Sequence, residues 1–100
     1  MKVEWSRQAR SDLRAIHGYI ARDSEHYARL QVKRLVERVE YVASRPMTGH
    51  PVHEFPELEL REAHQEGYRI IYALEDGLLQ VVTIIHMRQV LKKRRLGRRS

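Results

Sequence analysis

Residues 68–86 read YRIIYALEDGLLQVVTIIH, and this stretch decides the fold. Two runs rich in Ile, Val, Tyr and Leu flank the dipeptide Asp76-Gly77. Asp-Gly between β-rich runs predicts a two-residue type I′ turn, because both central residues need positive φ. The expected elements are strands Tyr68–Glu75 and Leu78–His86. A two-residue turn also fixes register. Glu75 should face Leu78, Ala73 face Gln80, Ile71 face Val82 and Arg69 face Ile84. One face of this hairpin then carries Tyr68, Ile70, Tyr72 and Leu74 with Leu79, Val81, Thr83 and Ile85. That face is the more apolar and should meet the rest of the core. On the other face, Arg69 should lie diagonal to His86, with Arg88 following on the same side. Diagonal neighbours sit ~7–8 Å apart. Two guanidiniums and an imidazole so placed can grip a phosphate or a carboxylate. The competing expectation for Arg69 is an ion pair with Glu62 or Glu66.

Upstream, the apolar period changes from 2 to 3.6. Ser6 is a candidate N-cap, and Ala9, Leu13, Ile16 and Ile20 form one helical stripe, with Arg7, Arg10, Asp12 and Arg14 on the other side. Asp23 or Ser24 can cap a second helix, whose stripe is Ala28, Val32, Leu35, Val39 and Val42. Pro46 ends it. So short a break between two amphipathic helices predicts an antiparallel helical hairpin. Val3 and Trp5, alternating with Lys2 and Glu4, predict a short opening strand. A loop at 46–57 precedes a further strand at Leu58–His64. The expected fold is thus α+β, in the order β-αα-βββ, with the helical hairpin packed on an antiparallel sheet. Residues 1–90 form a single domain, followed by a basic C-terminal tail at 91–100.

Composition narrows function further. The chain has 100 residues and a net charge of +6. Seven of its nineteen basic side chains fall in residues 88–100, which contain no acid, leaving twelve against thirteen acidic groups elsewhere. Such a tail attracts polyanions, either nucleic acid or an acidic protein. It is expected to be partly ordered at Val90 and Leu91 and mobile beyond Gly97. Without cysteine, neither a disulfide frame nor a thiolate metal site can form. His50 and His53 lack a third ligand at typical spacing, so no metal is expected. No phosphate-binding glycine loop exists, and no cofactor is implied. The opening residues MKVEWSRQAR lack the apolar run of a signal peptide, and no run approaches the ~18 residues of a membrane span. A cytoplasmic location away from membranes is the expectation. Arg10, Arg14, Arg34 and Arg38 read as solvated helix surface.

Several segments together resemble the RelE/ParE toxin superfamily, and the ParE type more than the RelE type. Pro46-Met47-Thr48-Gly49 followed by Val52 and Glu54 is similar to the ParE-type loop after the second helix. Leu60-Arg61-Glu62 and Tyr68-Arg69-Ile70-Ile71-Tyr72 resemble the family's "LRE…YRIIY" strands, and Ile84-Ile85-His86-Met87-Arg88 its closing strand. Ala9, Asp12 and Leu13 fit the first helix. The resemblance spans roughly residues 1–90 and implies the toxin of a toxin–antitoxin pair, bound in a heteromeric complex by a cognate antitoxin. It also implies either of two targets: DNA gyrase for ParE-type members, or messenger RNA on the ribosome for RelE-type members. RelE-like nucleases carry strand lysines where this chain has Glu57 and Glu59, and a late tyrosine, whereas the last tyrosine here is Tyr72. Carboxylates there would repel RNA. The balance favours gyrase inhibition. If the chain is instead a nuclease, Arg69, His86 and Arg88 are the catalytic candidates, with His86 as the acid–base group. For target binding, the candidates are Arg61, Arg69, His86, Arg88, Lys92, Lys93, Arg94 and Arg95.

Overall fold

A computed structural model describes residues 1–97. Strand β1 (Lys2–Trp5) leads into helices α1 (Arg7–Ala21) and α2 (Glu25–Ser44). After them come β2 (His50–Pro51), β3 (Arg61–Gln65), β4 (Tyr68–Glu75) and β5 (Leu78–His86). Short 3₁₀ turns occur at Pro46–Thr48, Pro56–Leu58 and Lys93–Leu96. The five strands form one sheet in the order β1-β5-β4-β3-β2.

Local chemistry explains the helix boundaries. Ser6 accepts from the Ala9 N–H and Ser24 from the Tyr27 N–H, each satisfying one of the helix's otherwise unpaired donors. His17 Nε2 and Glu25 Oε2, 3.1 Å apart, join the two helices near their connection. The helix stripes and one sheet face build the first core from Ala9, Leu35, Val39, Val42, Ile70, Tyr72, Leu79, Val81 and Ile84. Leu35, wholly buried, contributes on the order of 2 kcal/mol of transfer free energy.

The β4–β5 hairpin turns at Asp76 (φ 50°) and Gly77 (φ 74°), as a type I′ turn requires. A second such turn, at Glu66 (φ 47°) and Gly67 (φ 88°), joins β3 to β4. β4 and β5 have the expected bounds, while β3 begins at Arg61 because Pro56–Leu58 forms a 3₁₀ turn and Glu59 takes a left-handed φ of 52°. The sheet is mixed: β1 pairs parallel with β5, Val3 beside Leu79 and Trp5 beside Val81. Parallel pairing needs a long connection, and α1 and α2 lie between β1 and the later strands.

The hairpin register departs from expectation at one residue. Glu75↔Leu78, Ala73↔Gln80 and Tyr72↔Val81 pair as the turn dictates, and then Ile71 pairs with Thr83, leaving Val82 as a β-bulge. The bulge inverts the alternation downstream. Arg69 therefore faces Ile85, and His86 faces Tyr68. Ile84 joins the helix-side core, and Ile85 the opposite face.

That opposite face is a second core, made of Val52, Leu60, Ile71, Ala73, Val82 and Ile85 and closed by Leu91 and Leu96. The chain after β5 thus crosses the back of the sheet. Val90, expected to help order the tail, points to solvent at 77% exposure, and Leu91 and Leu96 do the packing instead. The tail beyond Gly97 lies outside the described residues.

Candidate functional site

The bulge separates the residues that the sequence had grouped. Arg69 shares a 550 Å³ surface pocket with His50, His53, Glu54, Glu62 and His64. His86 and Arg88 lie across the sheet in a 440 Å³ groove with Ala15, Ile16, Tyr19, Tyr68 and Gln89. The expected convergence of Arg69, His86 and Arg88 is thus corrected: the latter two meet, and the first stands apart. The physical reason is the unpaired Val82, which shifts His86 one residue in phase.

Arg69 also has four of its five N–H groups engaged. Its Nε and Nη2 donate to the two oxygens of Glu62 at 2.7 and 2.8 Å. Its Nη1 and Nη2 donate to the two oxygens of Glu54 at 2.8 and 3.0 Å. Each pair is bidentate, the geometry in which arginine binds carboxylate best. Glu62, on β3, arrives by strand pairing, and Glu54 by the loop after β2. His64 Nε2 lies 2.8 Å from Glu62 Oε1. The hydrogen bonds from Arg69 hold the Glu54 carboxyl below its ordinary value of 4.5. Burial pushes Glu62 up, but the hydrogen bonds from Arg69 and His64 outweigh it and leave that carboxyl low as well. Hydrogen bonds to Glu54 and then Glu62 raise Arg69, despite the opposing effect of burial. Both acids stay ionised and the guanidinium stays charged. An incoming phosphate would have to displace a carboxylate to reach it.

Arg61 is committed to structure too. Its Nη2 donates to the backbone carbonyls of Met47 and Gly49. Tyr72 Oη donates to the Pro46 carbonyl at 2.8 Å. Together they pin the loop after α2 to the sheet. Gly49 is needed there, since a Cβ would lie 2.4 Å from the Glu62 carbonyl oxygen and 2.5 Å from Tyr72 Oη.

In the groove on the helix side, the His86 ring meets Tyr68 edge-on at 5.6 Å. The Arg88 backbone N–H donates to His86 Nδ1 at 3.1 Å. Burial raises the Tyr68 hydroxyl. Tyr19, 71% exposed, forms the outer wall.

Asp12, expected on a polar helix face, is instead buried at 7% exposure. Its Oδ2 accepts from Thr83 Oγ1 and, at 2.9 Å, from the Ile84 N–H. Its Oδ1 accepts from Gln8 at 2.8 Å and Arg95 at 3.0 Å. Ser6 Oγ donates to the Val82 carbonyl at 2.7 Å. Side chains of α1 and its cap thus take over β5's polar groups where β1 ends. The signal was available: Asp12 is three residues from Ala9 and four from Ile16, within reach of the buried stripe.

Of the basic tail candidates, Arg95 is tied to Asp12, while Lys92, Lys93 and Arg94 are exposed. Lys93 Nζ stands 4.0 Å from Glu57. Among the helix arginines, Arg34 pairs with Glu66 at 3.2 Å, and Arg38 lies 5.4 Å from the Tyr41 ring centroid. Among the described residues, no three His, Asp or Glu side chains are arranged to hold a metal ion. No described helix is long and apolar enough to cross a membrane.

In structure the chain is similar to one from the chromosomal ParDE toxin–antitoxin system of P. aeruginosa, with a TM-score of 0.73. The two share 22% sequence identity over 88% of this chain and 97% of the other, a likeness that shows the fold. No curated protein sequence matches. The family model for the ParE toxin of the type II toxin–antitoxin system parDE matches residues 3–91, so the chain belongs to the ParE toxin family.

Proposed function

We propose that this ParE-family toxin arrests growth by binding and inhibiting DNA gyrase, and that a cognate antitoxin holds it inactive in a heteromeric complex in the cytoplasm. The observation that carries this reading is the state of Arg69. Its fork is consumed by Glu54 and Glu62, and His86 lies across the sheet. Metal-free RNA cleavage needs several cations around an acid–base group; His86 has Arg88 in its groove, but Arg69 is not brought to it. Binding to a protein target makes no such demand. Arg88 and His86, with exposed Lys92, Lys93 and Arg94, remain our candidates for target contact. Arg61, Arg69 and Arg95 act indirectly, through the loop, the sheet and the tail they hold.

The antitoxin dock we favour is the groove between α1 and the end of β5. Its Tyr19, Tyr68 and Ile16 offer apolar anchorage, and Arg88 offers a charge for an acidic, amphipathic segment that orders on binding.

Purified full-length protein titrated into a gyrase supercoiling reaction tests the reading. Inhibition with accumulation of gyrase–DNA cleavage complexes is expected, with transcripts intact in expressing cells. Unimpaired supercoiling at every concentration, or transcripts cut on ribosomes, would overturn it.

A further inference from the structure

A second basic surface stands apart from both the Arg69 cluster and the tyrosine groove. The exposed side of α1 and the segment after β5 enclose a 260 Å³ cleft lined by Arg7, Gln8, Ser11, Arg94, Arg95 and Gly97. Three guanidiniums from two distant parts of the chain meet there. No carboxylate lines the cleft. Asp12, which holds Arg95 in place, is buried and also accepts hydrogen bonds from Gln8, Thr83 and the Ile84 N–H. Arg95 is thus held in place by its ion pair with Asp12, while Arg7 and Arg94 are exposed and carry the cleft's free positive charge. Ser11 adds a hydroxyl-bearing side chain to the lining.

We infer that this cleft binds phosphate groups of a nucleic-acid backbone. Arginine's planar fork matches a phosphate, and several arginines lining one cleft can address one or two successive phosphates. The cleft has no aromatic or large aliphatic lining. An amphipathic acidic peptide needs apolar anchors, and these lie in the groove at Tyr19 and Tyr68. A sequence-neutral, electrostatic contact needs none. Lys92 and Lys93, exposed in the same segment, add to its positive charge, Lys93 with Glu57 4.0 Å away. The inference does not depend on gyrase being the target, although a toxin that meets an enzyme engaged on DNA would gain from such a contact.

Fluorescence anisotropy of the full-length protein with a short labelled DNA duplex, and with an RNA duplex of the same sequence, tests it. Arg7→Gln and Arg94→Gln are the site variants. Arg29→Gln, an exposed arginine of α2 outside the cleft, is the control with the same charge change. Each site variant should weaken binding by roughly 3–10-fold near 0.1 M salt. Each should also lower the slope of log affinity against log salt by about one. The control should change neither beyond about 1.5-fold. Equal binding to both duplexes, or a preference for one, supports the inference and identifies which backbone is used. Losses no larger than the control's would overturn it. So would tighter binding of a polyglutamate peptide that the same variants abolish, since the cleft would then serve an acidic protein. Thermal melting checks that all variants are folded. No gyrase is present, so the outcome is separate from that of the supercoiling experiment.

Discussion

Replacing Arg69 by methionine isolates what its guanidinium does. The substitution keeps much of the volume and removes four charge-assisted hydrogen bonds. Glu62, whose side chain is only 8% exposed, is left ionised without its cation. Stranding one partner of a buried pair costs about 3–5 kcal/mol. Glu54 is 39% exposed, can turn to water and adds little. A loss near the lower bound, about 3 kcal/mol, is therefore expected. For a domain of this size, each kcal/mol shifts the melting temperature by about 4–8 °C, so the variant should melt at least ~12 °C lower. Adding Glu62→Gln should restore roughly half of that, because a neutral amide needs no countercharge. Differential scanning calorimetry on the wild type, both single variants and the double variant gives the coupling directly. If Arg69→Met melts within ~2 °C of wild type yet abolishes toxicity, the residue works on the target, and the assignment of its fork to structure is refuted.

The same cluster sets acid sensitivity. Glu54 and Glu62 titrate below their ordinary 4.5, so their contribution is complete above that pH and lost as pH falls through the lowered values. Melting temperature against pH should drop more steeply below about pH 4.5 in wild type than in Glu62→Gln. Asp12→Asn should cost about 2–3 kcal/mol through lost charged hydrogen bonds. It should also speed amide exchange at Ile84 and proteolysis near Arg95, both readable by mass spectrometry; unchanged exchange would separate Asp12 from the bulge. Gly49→Ala should destabilise by about 1–3 kcal/mol in urea unfolding, because its Cβ collides with the β3 backbone.

The parts of the fold legible in the sequence were those coded by local rules. Asp76-Gly77, Ser6, Ser24 and Pro46 each state a turn, a cap or a stop within a few residues, and the structure places all four as read. The position of Arg69 relative to His86 was not local. It hangs on one bulged residue, Val82, and nothing in the run QVVTIIH distinguishes an unpaired valine from a paired one. The bulge is held by Ser6 and Asp12, more than seventy residues away in sequence. Glu62 was legible as a partner for Arg69 because strand pairing brings it near. Glu54 was not, since its place depends on a loop pinned by Arg61 and Tyr72.

Leu91 and Leu96 cover a sheet face whose other members all precede them in the chain. Until the segment that carries them docks, Ile71, Val82 and Ile85 lie open to water on that face. A partly folded chain with this face undocked exposes apolar surface, and closing it depends on the very segment that carries most of the chain's excess charge. Clipping the chain after Val90 to probe that charge would therefore also uncover an apolar surface. Substituting Lys92 and Lys93, which stay in solvent, separates the two effects.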